Sequence, residues 1–148
     1  MNYTLRKITA EDRELFLSFI GMFHNSPAML HPVDKQVDIN NFEELMRSDE
    51  YLECYFINFD GKDVGYVLLS KSFSSEVGGK IVWVEEIMLL DEYRSMGIGS
   101  DVLKRVEELC PYTRLRLEVE PDNERAKKLY YSLGFEELPY MQMIIDKK

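Results

Sequence analysis

The sequence predicts a mixed α/β fold, an α+β sheet with helices packed on it, in the order β-α-α-β-β-β-α-β-α-β. Three observations carry this. The apolar spacing switches repeatedly between a period of two and a helical period along the chain. Asp60-Gly61 separates two strand-like runs, a hairpin signal. The apolar run Ile81 to Leu90 leads through Arg94-Ser95-Met96-Gly97-Ile98-Gly99 into a helix-like run, Ser100 to Leu109, so a strand feeds a glycine loop that opens a helix.

Each element follows in order. Tyr3 to Ile8 alternates as a first strand. Thr9 is placed as an N-cap with Asp12 in the capping-box position, and Leu15, Phe16, Phe19, Ile20 and Phe23 then recur at helical spacing. Pro27, Pro32 and two histidines break the pattern from His24 to Val37, which reads as a loop. A second amphipathic helix turns Phe42, Leu45 and Met46 inward. Tyr51 to Phe59 and Asp63 to Ser70 form the hairpin strands, and the polar stretch Ser72 to Gly79 is a turn before the strand Ile81 to Leu90. The helix after the glycine loop buries Val102, Leu103, Val106 and Leu109. Arg114 to Val119 alternates again. Asn123 to Leu133 is a helix with Ala126, Leu129, Tyr130 and Leu133 inward and Gly134 at its C′ position. A last strand is expected near Met141 to Ile145.

With 148 residues, the chain suits one domain over 1–148, and no repeat or linker divides it. No apolar run reaches the roughly 18 residues of a membrane span, and the N-terminus lacks a signal core, so a cytoplasmic protein is expected. Cys54 and Cys110 read as reduced core residues. A net charge of −9 argues against nucleic-acid binding and suits either solubility or a cationic substrate. No His/Cys cluster has metal-ligand spacing, so no metal is implied.

The loop carries the chemistry. Backbone N–H groups at a helix start, with the helix dipole behind them, suit a phosphate or pyrophosphate. Gly97 and Gly99 permit positive φ and close backbone approach. The spacing is not G-x-G-x-x-G and no Gly-Lys-Ser/Thr follows, so neither a Rossmann nor a Walker A loop fits well.

Three passages together resemble the GNAT superfamily of acyl-CoA-dependent N-acetyltransferases. Val84-Glu85-Glu86-Ile87-Met88-Leu89 is similar to its central strand. Arg94 to Gly99 is similar to its R-x-x-G-x-G/A loop. Asn123-Glu124-Arg125-Ala126, Tyr130 and Gly134-Phe135 are similar to its N-x-x-A-x-x-x-Y-x-x-x-G-F signature. The first two passages also look similar to those of polyamine acetyltransferases. Two departures are Ser95, where the loop often has glycine, and Leu90-Asp91-Glu92, which lacks a frequent proline.

The resemblance implies acetyl transfer from acetyl-CoA, as cosubstrate, to a primary amine by direct attack in a ternary complex. It implies that the central strand bulges near Ile87 to Leu89 and splays from the strand starting at Arg114, with Ile87, Met88 and Leu89 lining the pantetheine arm. The N–H of Leu89 would polarise the thioester carbonyl. Backbone amides from Ser95 through Met96, Gly97, Ile98 and Gly99 to Ser100 would hold the pyrophosphate, Arg94 adding charge. Asn123 and Ala126 would touch the cofactor, although Asn123 is equally explained as a helix N-cap.

Tyr130 is the candidate general acid, because a phenol stays protonated at neutral pH; its other reading is a core aromatic. Glu85 matches the position of the general base in some relatives, with a surface or paired carboxylate as the alternative. Adjacent strand residues face opposite sides, so at most one of Glu85 and Glu86 is expected in a given cleft. His24 and His31 are expected to be solvent-exposed or locally bonded. Two rival functions remain at this level: a non-catalytic acyl-CoA-binding regulatory domain, and a nucleotide-binding module. A homodimer is plausible by family analogy alone. The acceptor is expected to be a small cationic amine, because Asp34, Asp38, Glu43, Glu44, Asp49, Glu50 and Glu53 crowd the segment where relatives receive it.

Overall fold

A computed structural model describes residues 2–147. It divides into two compact units, one through Glu118 and one from Val119. The first contains β1 (Tyr3–Lys7), α1 (Arg13–His24), α2 (Lys35–Arg47), β2 (Leu52–Phe59), β3 (Lys62–Ser74), β4 (Gly79–Leu89), α3 (Ile98–Leu109) and β5 (Arg114–Arg116). The second contains α4 (Glu124–Ser132). Short 3-10 turns precede α1 (Ala10–Asp12) and follow β4 (Asp91–Tyr93).

The five strands form one sheet in sequential order, antiparallel from β1 to β4 and parallel between β4 and β5. The mixed sheet is therefore as expected. Its β2–β3 hairpin closes through Asp60 (φ 50°) and Gly61 (φ 81°), both left-handed as a two-residue primed turn requires. One sheet face carries Cys54, Phe56, Tyr66, Leu68 and Met88, and α1 and α2 cover it with Phe16, Phe19, Ile20, Phe42 and Leu45. The Tyr66 ring stacks on Phe19 with centroids 6.4 Å apart, and Phe16 meets it at 6.1 Å. On α3 the buried residues are Ile98, Val102, Leu103 and Val106.

Helix ends follow their local chemistry. The Thr9 N–H donates to Asp12 Oδ2 at 2.8 Å, and the Asp34 carboxylate caps α2 by accepting from the Gln36 N–H at 2.8 Å. Asn123 caps α4, its Oδ1 accepting from the Ala126 N–H at 3.1 Å. That helix ends in a Schellman motif. Gly134 has φ 98°, the Phe135 N–H reaches the Tyr130 carbonyl at 3.0 Å, and the Gly134 N–H reaches that of Tyr131 at 3.1 Å. The Tyr130 and Phe135 rings meet edge-on at 5.8 Å, the apolar contact that accompanies this cap.

Several expectations are corrected. The strand near Met141 to Ile145 does not form; residues 135–147 contain no helix or strand, and Met141, Met143, Ile144 and Ile145 are all exposed. An alternating pattern specifies a strand only when a partner ladder accepts its backbone. The turn at Ser72 to Gly79 is shorter, because β3 continues through Ser74 against the start of β4. The run from Arg114 pairs only through Arg116. Met46 and Leu129 lie outward, and Leu109 is half-buried. Cys54 and Cys110 are buried free thiols.

Candidate active site

The parallel pairing of β4 with β5 stops at Trp83, opposite Arg116, while β4 continues six residues to Leu89. The expected splay is therefore present. Beyond it β4 has a strand partner on its β3 side and, among the described residues, none on the other. The Leu90 N–H donates to the Val64 carbonyl of β3 at 2.8 Å. Ladder alternation then turns the N–H groups of Leu89 and Ile87 away from β3, into the opening. The Leu89 carbonyl points the same way and accepts from Arg94 Nε at 3.0 Å.

The bulge lies at Glu85, earlier than expected. Leu68 of β3 pairs with Glu86 and Leu69 with Val84, so Glu85 is the extra residue. This corrects the strand-alternation reading of the two glutamates. Glu85 Oε1 accepts from the Ser70 hydroxyl at 2.9 Å, and Glu86 Oε1 accepts from the Tyr66 hydroxyl at 2.7 Å. Ser70 and Tyr66 alternate onto the same face of β3 as Leu68, the face beneath α1 and α2. The bulge thus sends both carboxylates to that face. Glu85 remains open to solvent. Desolvation by the surrounding protein raises its pKa above the usual carboxylate value; Ser70 opposes the rise, and the charges of Glu86 and Glu118 add to it.

Glu86 has a second partner. Its Oε2 lies 2.5 Å from His24 Nε2, and His24 Nδ1 lies 2.5 Å from Asp38 Oδ1. His24 and Asp38 are each 5% exposed. His24 is therefore a core residue of α1 rather than the solvent-exposed or locally bonded loop histidine expected, while His31 lines a small cavity beside it with Met29, Leu30 and Pro32. The signal was in the spacing. His24 continues the Phe16–Ile20 stripe of α1 by four residues, and Asp38 precedes Phe42 and Leu45 on the inner stripe of α2.

Below β4 the glycine loop starts α3. Gly97 (φ 82°) stands at the N-cap and has no side chain to cap the helix, so the first α3 amides are left to an external acceptor. Of the two loop glycines, Gly97 uses positive φ and Gly99 does not. Gly99 lies inside the first helical turn, where a Cβ would meet only Ile87 Cδ1 at 3.9 Å, an ordinary contact. Nothing within the fold demands glycine there, although glycine costs a helix about 1 kcal/mol relative to alanine. The vacancy at Cβ suits close approach by a ligand. Arg94 does not extend freely toward the loop, being bonded to Leu89 and to Asp91 at 3.0 Å. The Met88 side chain is buried and ladder alternation turns its N–H and carbonyl toward β3, so, contrary to expectation, Met88 offers no polar group to the opening; the Ile98 side chain is buried and Met96 is exposed.

Ser95 adopts φ 69°, a left-handed conformation that costs a non-glycine residue roughly 1–2 kcal/mol. Ser95→Gly relieves this and loses part of the gain to unfolded-chain entropy. A net stabilisation of about 0.5–1 kcal/mol is expected in denaturant unfolding. An unchanged or lower midpoint contradicts it.

Asn123, Ala126 and Tyr130 belong to the second unit. Asn123 is the N-cap described above. The Tyr130 phenol is half-buried, and desolvation raises its pKa above the ordinary tyrosine value. Tyr130 also occupies the C3 position of the Schellman cap, which gives its ring a structural role of its own.

Residues 16–135 match the family model described as Acetyltransferase (GNAT) family. Over 78 residues the chain is 41% identical to a thialysine N-epsilon-acetyltransferase of Bos taurus, a match covering 51% of this chain and 45% of that protein. It is 32% identical over 104 residues to an N-alpha-acetyltransferase of Sulfurisphaera tokodaii, covering 63% of this chain and 62% of that one. The chain thus spans less than two thirds of the length of either curated relative. A crystal structure of a possible acetyltransferase from Clostridium difficile 630 shares the fold, with TM-score 0.84 and 19% identity, over 100% of this chain and 99% of that one.

Proposed function

Because the chain belongs to the acetyltransferase (GNAT) family, we propose that it transfers acetyl from acetyl-CoA directly to a primary amine within a ternary complex. The observation that carries this is the open edge of β4 from Val84 to Leu89, running straight into an uncapped glycine loop. A pantetheine arm adds along that edge as a strand would, and the pyrophosphate takes the amides from Ser95 to Ser100.

The chemistry needs a neutral amine, a stabilised oxyanion and a proton for the thiolate. Glu85 takes the proton of the incoming ammonium, directly or through water, its raised pKa suiting it to the task. The amine nitrogen attacks the thioester carbonyl carbon, and the Leu89 N–H stabilises the oxyanion. As the C–S bond breaks, the thiolate takes the phenolic proton of Tyr130, the acid the family resemblance implies, and the phenolate recovers the extra proton from the nitrogen, leaving a neutral amide and the CoA thiol. Attack is direct because both cysteines are buried, so no thiol accepts acetyl first.

The acceptor is a small cationic amine. Resemblance to a thialysine acetyltransferase supports this, as does the net charge of −9. The acidic segment supports it less than its composition implies, since Asp34 caps α2, Asp38 holds His24, Glu44 holds Arg47, Asp49 holds Lys7 and Glu53 holds Lys71. Thiol release measured over polyamines, aminoglycosides, amino acids and N-terminal peptides at two salt concentrations tests the proposal. Cationic amines should release thiol, less so at high salt. Cofactor binding with no release for any amine would favour an acyl-CoA-sensing domain instead.

For the acid role, Tyr130→Phe should lower turnover at least ~10-fold while acetyl-CoA affinity changes little, the mark of an interaction made in the transition state. The Tyr130–Phe135 contact survives this substitution. Equal turnover would leave Tyr130 with its capping role alone.

A further inference from the structure

Beneath α1 and α2, four polar side chains from four elements meet inside the apolar core: His24 of α1, Asp38 of α2, Tyr66 of β3 and Glu86 of β4. Buried carboxylates are costly unless each is paired and hydrogen-bonded. Both ring nitrogens of His24 face a carboxylate oxygen at 2.5 Å, and a carboxylate only accepts. A neutral imidazole has one N–H and would set a lone pair against one of the two carboxylates. Only the doubly protonated ring satisfies both. Tyr66 completes Glu86 by donating to its other oxygen at 2.7 Å.

The consequence reaches the adjacent Glu85. Because the bulge turns both glutamates to one face, they would compete for the same proton and the same cation. With Glu86 held at both oxygens, it is withdrawn from that competition. We propose that His24 is a positioning residue: as an imidazolium shared by Asp38 and Glu86, it ties α2 to β4 and removes Glu86 from the acceptor face, leaving Glu85 as the solvent-facing base. This rests on the acetyltransferase reading for its catalytic consequence, whereas the clamp stands on geometry alone.

The groups facing the ring from each neighbouring element are Asp38, Glu86 and, behind Glu86, the Tyr66 hydroxyl; Cys54 of β2 contributes a buried thiol nearby, and His31 shares the adjoining cavity. Desolvation opposes charging of His24, but Glu86 and Asp38 outweigh it, so its pKa lies above the ordinary imidazole value. A group whose pKa rises on folding contributes its stabilisation fully below its unfolded pKa, about 6.5, and loses it as pH climbs through the folded value. The clamp therefore weakens on the alkaline side.

Two measurements on the full chain test this. In ¹H–¹⁵N spectra of the histidine ring, both His24 nitrogens should carry protons at pH 7, and the ring should titrate above the ordinary imidazole value. A singly protonated ring at pH 7 overturns the proposal. The second is the pH profile of kcat/KM. His24→Gln removes the positive charge that offsets Glu86, whose negative charge raises the Glu85 pKa, so the acid limb should move up by about one pH unit, with KM for acetyl-CoA little changed. Adding Glu86→Gln to that variant removes the excess negative charge and should bring the limb back. A limb that stays put in both also overturns it. If His24→Gln does not fold, Glu86→Gln alone decides: it should lower the His24 ring pKa and move the limb down, and no movement of either counts against the clamp. Absence of thiol release with every amine, beside a doubly protonated ring, would sink the acetyltransferase reading and leave the clamp intact.

Discussion

Glu85→Gln should lower kcat/KM for the amine by about 10²- to 10⁴-fold, the usual contribution of a positioned general base. The substitution keeps the shape and the Ser70 hydroxyl contact, so neither the bulge nor cofactor affinity should change. The pH profile separates this from a packing effect. Glu85 acts only when ionised, so activity falls as pH drops through its raised pKa. The glutamine variant should lose that acid limb as well as its rate. A variant that keeps both would return Glu85 to the status of a surface carboxylate.

The second large effect is expected at Gly65. This residue pairs with Leu89, and a Cβ there would lie 2.0 Å from the Met88 carbonyl oxygen and 3.0 Å from Leu89 Cα. Both obstacles are backbone, so no side chain can swing aside. Gly65→Ala must push β4 away from β3 at the segment whose N–H groups face the opening. Overpacking typically costs 1–3 kcal/mol and occasionally more, so a loss of about 3 kcal/mol is expected in denaturant unfolding, together with weakened acetyl-CoA binding. Gly21 is a control, since a Cβ there meets nothing within 4 Å. Equal effects at the two positions would contradict this account of the close strand approach.

Much of this was legible in the sequence, for physical reasons that can be traced. The Asp60-Gly61 turn, the Asn123 cap and the Gly134 terminator are local, and each was read from chemistry within a few residues. The splay of β4 came with the family resemblance and is present, while its bulge lies at Glu85 rather than near Ile87 to Leu89. That one inserted residue explains why alternation misjudged the glutamates: period 2 holds only while the ladder is regular. His24 was missed because its partners lie 14 and 62 residues away, on elements that only tertiary packing brings together. Gly65 carried a readable signal, since glycine within an apolar strand often marks a close backbone approach. The Met141 to Ile145 run shows the opposite limit: alternation alone does not supply a pairing partner.

The most direct measurement is calorimetric titration of the protein with acetyl-CoA, followed by thiol release on adding a cationic amine to the same sample. The account predicts saturable one-site binding that Gly97→Val weakens, through loss of the left-handed backbone and of close approach to the α3 amides. It predicts release only when both acetyl-CoA and amine are present. No binding at millimolar acetyl-CoA, or unaltered binding in the Gly97 variant, would contradict it.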